Sequence, residues 1–425
     1  MRDLPESYVL QGVRIIDPTQ QWDFCGDVWI EQGQIRAIER DLSSVAAEIP
    51  RQSGAGLILA PGLVDLYSQG GEPGYEQRET LESLIQAAQA GGFCRVALLP
   101  LTNPVLDHAA VLSQLQAKIP PNSPVQLHFW GAITQAAKGE KLTELYELAQ
   151  AGVIGFSDSR PLGNLGVIRR SLEYLQATHL PIALWPQNLE LAGRGVVRES
   201  EIALALGLIE QPVSAETTAL TSILELSREL PQPLHVMRVS TARSVELLES
   251  YYHQAALITS SVSWLHLLKN TNDLTSYDPN LRLEPPLGTP EDQTALIAGI
   301  KSGVINAIAV DHRPRTYEEK VISFAEALPG AIGLELALPL LWQELVVTEK
   351  LTALELWRAL SQKPAEILQQ SPPSLRQVNQ QEWILFDPNQ AWTVTPETLF
   401  SRSQNTSYTG QTISGRVIRQ WSHHF

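Results

Sequence analysis

Between residues 57 and 311, short runs of β-branched and apolar residues alternate with stretches whose apolar positions recur at i, i+3 and i+4. Eight such runs lie near 57–66, 93–100, 125–133, 152–157, 180–185, 233–240, 255–262 and 304–311. This alternation is the signature of βα units and a parallel sheet. The intervening stretches, such as Thr80-Leu-Glu-Ser-Leu-Ile-Gln-Ala-Ala-Gln-Ala and Thr143-Glu-Leu-Tyr-Glu-Leu-Ala-Gln-Ala, predict helices capped by Thr or Gly. Eight strand-helix repeats predict a closed (β/α)8 TIM barrel. The helical pattern continues over about 317–371, where Pro372-Pro373 stops it.

The two ends follow a different pattern. Residues 8–40 and 383–420 alternate apolar and polar positions in short strands separated by Gly turns. They predict a small β-sandwich domain built from both termini, residues 1–56 plus 376–425, flanking a barrel over 57–375. No solenoid repeat or low-complexity tract interrupts either part.

Charge narrows the function classes. The 425 residues carry 31 Lys+Arg against 46 Asp+Glu, a net charge of −15, whereas a nucleic-acid binder normally presents a basic face. Cys25 and Cys94 are too few for a disulfide framework or a Cys-rich zinc site. Both are expected to be small buried apolar residues in a reducing compartment. The start Met1-Arg-Asp-Leu-Pro-Glu lacks an apolar run with a cleavage site, and no stretch reaches the ~20 apolar residues of a membrane span. A cytoplasmic protein without membrane or nucleic-acid partners is expected.

In a (β/α)8 barrel the reacting groups sit at the C-terminal ends of the strands. Those positions here carry Tyr67 and Gln69, Asp158, Trp185, Arg238 and Asp311. The first segment, Leu57-Ile-Leu-Ala-Pro-Gly-Leu-Val-Asp65-Leu-Tyr67-Ser-Gln69-Gly-Gly71, resembles the first barrel strand of the dihydroorotases, zinc amidohydrolases of pyrimidine synthesis. Glu72-Pro-Gly-Tyr-Glu, Ala90-Gly-Gly-Phe, Gly155-Phe-Ser-Asp-Ser, Glu284-Pro-Pro-Leu, Ala309-Val-Asp-His, Gly333-Leu-Glu and Ser403-Gln-Asn-Thr extend that resemblance over nearly the whole chain.

By resemblance, Tyr67, Gln69, Trp185 and Arg238 stand where the family places histidine ligands. Asp158 stands near an acidic metal position, and Asp311 at a ligand and proton shuttle, here a vestigial general base. Among substrate positions, Gly71 replaces a carboxylate-gripping arginine, Leu101 an asparagine, Glu284 the asparagine of Asn-Pro-Pro-Leu-Arg, and Arg315 a histidine; Gly288 replaces a second arginine. A phenol, an amide, an indole and a guanidinium are not ligands for Zn²⁺, which takes imidazole, thiolate and carboxylate. Zinc is therefore the family's cofactor but not an expected cofactor of this chain.

Arg238 is expected to take the metal's place as counter-charge to Asp158 and Asp311, since buried carboxylates need a cation or a shared proton. Trp185 and Trp264 are expected to fill the vacated cavity. His266 and His312 read as hydrogen-bonded structure, Glu318-Glu319-Lys320 as a solvated helix start, and His423-His424 as a solvated tail. Gly70-Gly71 and Gly91-Gly92 fit turns, not phosphate loops.

The leading expectation is a catalytically inactive dihydroorotase-like protein in a homo- or hetero-oligomer. The resemblance implies aspartate carbamoyltransferase as its partner. One alternative is an active cyclic amidohydrolase with a reduced metal site built on Asp311. The other is a small-anion binder using Arg238, Arg282, Arg313 and Arg315.

Overall fold

The computed structural model describes residues 6–44, 48–252, 257–376 and 381–422; His423-His424 lies outside them. Eight strands pair in parallel in chain order: Leu63–Ser68, Phe93–Leu98, Gln126–Gly131, Gly155–Phe156, Ile182–Leu184, Leu234–Val236, Ile258–Ser263 and Ala307–Ala309. The seam between eighth and first strands is bridged by single contacts. The Val310 N–H donates to Asp65 Oδ1 at 2.7 Å, and the Gln69 N–H to the His312 carbonyl at 2.8 Å. The architecture is the expected (β/α)8 barrel.

Local chemistry sets the first strand and helix. The run at 57–66 is two strands: Ile58–Pro61 pairs with Ser7–Asp17 and Glu382–Thr393, and Leu63–Ser68 enters the barrel. Gly62 separates them, where a Cβ would lie 2.2 Å from Cys94 Sγ. Helix Leu81–Gly91 begins at Thr80, whose Oγ1 accepts the Ser83 N–H at 3.2 Å, and ends at left-handed Gly92. Thr143 caps nothing; its hydroxyl donates to the Ala132 carbonyl, and the next helix starts at Leu145.

The terminal strands join one hydrogen-bonded sheet in the order Thr412–Ser422, Glu382–Thr393, Ile58–Pro61, Ser7–Asp17, Trp22–Glu31, Gln34–Glu39, with Arg51–Ser53 also pairing Ser7–Asp17. It has its own core, including Tyr8, Val13, Ile15, Val28, Ile30 and Trp383. Cys94 is buried, but Cys25 is exposed, because Trp22–Cys25 alternates and puts it on the solvent side.

Residues 317–371 are less helical than their pattern predicts. Tyr317–Lys320 is one turn, and the next helices are Ala337–Val346 and Ala353–Ile367, each containing a π turn. Phe324, Ala327, Ala331, Ile332 and Leu334 are buried without forming a helix. Their apolar spacing reflects a loop packed on the barrel, with Pro329, Gly330 and Gly333 interrupting any helix. Between the fifth and sixth barrel strands an excursion not foreseen from the pattern carries Val197–Arg198 paired with Glu210–Gln211. Among the described residues no helix is long and apolar enough to cross a membrane.

The barrel interior is packed. Ala97, Ala183, Ala307 and Ala309 make room for Tyr67, Trp130, Trp185 and Met237, and Ala365, Ile367 and Leu368 join the same cluster. Trp130 is fully buried, and its indole N–H donates to the Leu66 carbonyl at 2.9 Å.

Candidate functional site at the mouth of the barrel

Asp311 and Arg238, just beyond the eighth and sixth strands, form the centre of the site. Arg238 donates from Nε to Asp311 Oδ2 and from Nη2 to Oδ1, both at 2.8 Å, a bidentate pair. Arg313 Nε adds a third contact to Oδ1 at 3.1 Å. Both partners of the bidentate pair have left-handed backbones, φ 57° at Arg238 and 49° at Asp311, and Ser159 beyond the fourth strand has φ 56°. Such conformations in non-glycine residues cost of order 1–3 kcal/mol each and persist where surroundings over-determine them. Here the ion pair and its aromatic walls do so.

Electrostatics follow from this packing. Burial alone would raise the Asp311 carboxyl, but the Arg238 and Arg313 guanidiniums outweigh it and hold it at about 2. Burial likewise opposes the charge on Arg238, and Asp311 overrides it to raise the guanidinium's pKa. Arg238 lies 5.0 Å from the Trp185 ring and 5.2 Å from the Tyr67 ring, so two aromatic faces replace water around the cation. Arg313 also approaches the Trp185 ring, at 5.8 Å.

Tyr67 is fully buried and hydrogen-bonded: its hydroxyl accepts the Arg238 N–H at 3.2 Å and contacts Ser261 Oγ at 2.8 Å. Ser261 contacts His235 Nε2 at 2.8 Å, and burial drives that imidazole down to about 3, keeping it neutral. Gln69 is tied to the barrel seam through its backbone N–H.

The two carboxylates expected to share Arg238 are separated. Asp158 accepts the backbone N–H of Thr134 at 2.9 Å and its hydroxyl, and burial raises its pKa. Arg238 reaches only the neighbouring Ser159 carbonyl, at 3.4 Å. Both tryptophans reach the mouth: Trp185 stands at the ion pair, and Trp264, stacked on Tyr408 with ring centroids 6.3 Å apart, lines the small space beside Asp311.

The substrate positions do not converge on one pocket. Gly71 has φ 70°, and a Cβ there would lie 2.4 Å from the Glu79 carbonyl oxygen. Leu101 is partly buried in the loop after the second strand. Glu284 leans on Arg282 at 3.5 Å with its side chain 37% exposed. Arg315 turns to the Pro329 carbonyl, 3.0 Å from its Nε. The space lined by Trp264, His266, Glu284, Asp311 and Arg313 is about 10 Å³, room for about one water.

Comparison with known proteins agrees with this scaffold. A family model described as "Dihydro-orotase-like" matches residues 56–243. A protein of Synechocystis sp. described as "Probable dihydroorotase-like protein" is 44% identical over 96% of this chain and 97% of its own. The dihydroorotase of Geobacter metallireducens is 34% identical over 96% of each. The chain belongs to the dihydroorotase family. An L-hydantoinase from Arthrobacter aurescens superposes with a TM-score of 0.82 over 98% of this chain and 95% of that one, at 19% identity, which shows the shared fold.

Among the described residues no three His, Cys, Asp or Glu side chains converge to hold a metal ion. Asp311 is engaged by two guanidiniums, Asp158 by Thr134, and Tyr67 by a serine and a backbone N–H. A permanent cation beside Asp311 repels a second one, so these residues do not fit a zinc centre.

Several groups at this mouth were not singled out by sequence reasoning. Glu79 is fully buried and accepts from the Arg402 N–H at 2.9 Å and the Ser401 hydroxyl. His312 Nδ1 accepts the Gly333 N–H at 3.1 Å, so its Nε2 faces Glu79 at 3.2 Å as donor; the histidine is structural, as its isolation suggested. His266 Nε2 likewise meets the Pro285 carbonyl at 3.2 Å. Glu216 accepts the Ser240 N–H at 3.0 Å, and Arg198 Nη2 donates to the Ser240 hydroxyl at 2.8 Å, fixing the turn after Arg238. No spacing marks such partners, which come from distant segments. Glu318-Glu319-Lys320 is solvated only at Glu318: Glu319 pairs with Arg78, and Lys320 is 5% exposed.

Asp65, at the seam, is raised to about 7 by burial. A carboxyl raised in the folded state favours its protonated form there, so its contribution is greatest below the ordinary pKa of about 4 and is lost as pH rises through about 7. Asp65→Asn removes this titration. Unfolding curves are expected to shift in the variant's favour, relative to wild type, as pH rises from about 4 to about 7; a pH-independent difference overturns the assignment.

Proposed function

We propose that this dihydroorotase-family chain belongs to pyrimidine biosynthesis but lacks ring-opening activity and bound metal, and serves as a structural partner in an oligomer. The Arg238–Asp311 pair carries this reading. A general base works best with a pKa near the operating pH, whereas Asp311 is held at about 2 with both oxygens occupied. The mouth offers about 10 Å³, against roughly 300–1,000 Å³ for sites that enclose small molecules. The partner implied by family resemblance is aspartate carbamoyltransferase, in the cytoplasm.

With purified protein and added Zn²⁺, dihydroorotate is expected to open no faster than with Asp311→Ala, and elemental analysis to find zinc far below one per chain. Metal-dependent turnover abolished by Asp311→Ala would sink this reading in favour of an active amidohydrolase. Co-purification of the carbamoyltransferase with the chain tests the partner separately. The anion-binding alternative loses Arg238 at the mouth, since Asp311 occupies its Nε and Nη2.

A further inference from the structure

Beside the filled mouth lies a larger space. Segments following the seventh and eighth strands, with residues 402–409, enclose a cleft of about 1,160 Å³. Arg315, Lys320 and Arg402 line it. Arg315 makes one side-chain hydrogen bond, Nε to Pro329, so its terminal nitrogens have no hydrogen-bond partner among the described residues. The Lys320 ammonium has three donors and uses one, on the Pro279 carbonyl at 2.8 Å.

The acids near the cleft, Asp278, Glu284 and Glu319, offset this pair only in part. Glu319 is engaged by Arg78 and the Thr316 N–H, Asp278 caps the Asn280 N–H at 2.9 Å, and Glu318 sits on the exposed rim. Burial and then repulsion from Arg315 and Arg282 drive Lys320 down to about 7, and burial with repulsion from Arg78 and Arg313 lowers Arg315 to about 10. Two largely buried cations facing one space are a costly arrangement that an entering anion relieves. Tyr317, Val321 and Ile322, 74%, 56% and 44% exposed, add apolar surface to the lining.

We propose that this cleft binds a small organic anion, its phosphate or carboxylate held by Arg315 and Lys320 and its apolar body by Tyr317, Val321 and Ile322. The site is separate from the Arg238–Asp311 pair and stands whether or not ring opening has been lost. Planar guanidinium nitrogens suit paired oxyanion oxygens, and the ammonium supplies a point charge.

The test is calorimetric titration of the full chain at fixed ionic strength with inorganic phosphate, phenyl phosphate, succinate and benzoate as probes. Saturable binding by a phosphate or a carboxylate probe is expected at concentrations up to about 10 mM, tighter for an aromatic member than for its plain counterpart. Arg315→Gln and Lys320→Met are each expected to weaken it at least about ten-fold. Should a variant not fold, a crystal structure of the wild type with the bound probe decides, with the anion expected within hydrogen-bond distance of Arg315 and Lys320. No saturable binding, an anion seated elsewhere, or folded variants with unchanged affinity overturn the proposal. Phosphate against carboxylate preference identifies the headgroup.

Discussion

Arg238→Met is expected to lower the unfolding free energy by about 3–5 kcal/mol, the typical effect of removing one partner from a buried ion pair. The Asp311 carboxylate would remain buried with only Arg313 at 3.1 Å, and the Tyr67 and Trp185 faces would lose their cation. The double variant Arg238→Met/Asp311→Leu is expected to recover most of that loss, because replacing both members by apolar side chains removes the desolvation cost with the attraction. Acid sharpens the comparison. Asp311 is held at about 2, so the pair's stabilisation is present above the ordinary carboxyl value of about 4 and is lost as pH falls towards 2. The deficit of Arg238→Met measured by chemical denaturation therefore narrows below about pH 4. A single variant as stable as wild type at pH 7 would show that Asp311 is held by something else.

Placing an arginine at position 71, where family resemblance implies one, is expected to fail at the backbone. In Gly71→Arg the new Cβ would meet the Glu79 carbonyl oxygen at 2.4 Å, and the residue would have to hold φ +70°. Left-handed geometry costs roughly 1–2 kcal/mol and overpacking typically another 1–3, so thermal or denaturant unfolding should report a loss of roughly 2–5 kcal/mol. Gly71→Ala should show most of that loss, because the collision arises at Cβ; a harmless alanine would place the obstacle in the long side chain instead. The damage should spread, since Glu79 also anchors Arg402 and His312. The loop around Gly71 has no room for a side chain as it stands.

The barrel was legible in the sequence because its determinants are local. Continuous apolar runs such as Phe93–Leu98, the Thr80 cap and Gly92 each specify an element from a few adjacent residues. The residue types at the strand ends were legible as well: a phenol, an amide, an indole and a guanidinium are poor zinc ligands whatever their surroundings. Where spacing mimicked a helix, at 321–336, burial against the barrel had produced the apolar pattern with isolated turns and no continuous helix.

Contacts between distant segments were decided only by the tertiary structure. That Arg238 chooses Asp311 and leaves Asp158 to Thr134 depends on which strand ends face each other. That Lys320 is buried beside Arg315 depends on loops from opposite ends of the chain closing one cleft. Charge pairing and pKa depend on distance and dielectric in three dimensions, and a linear order of residues encodes neither until the chain has folded.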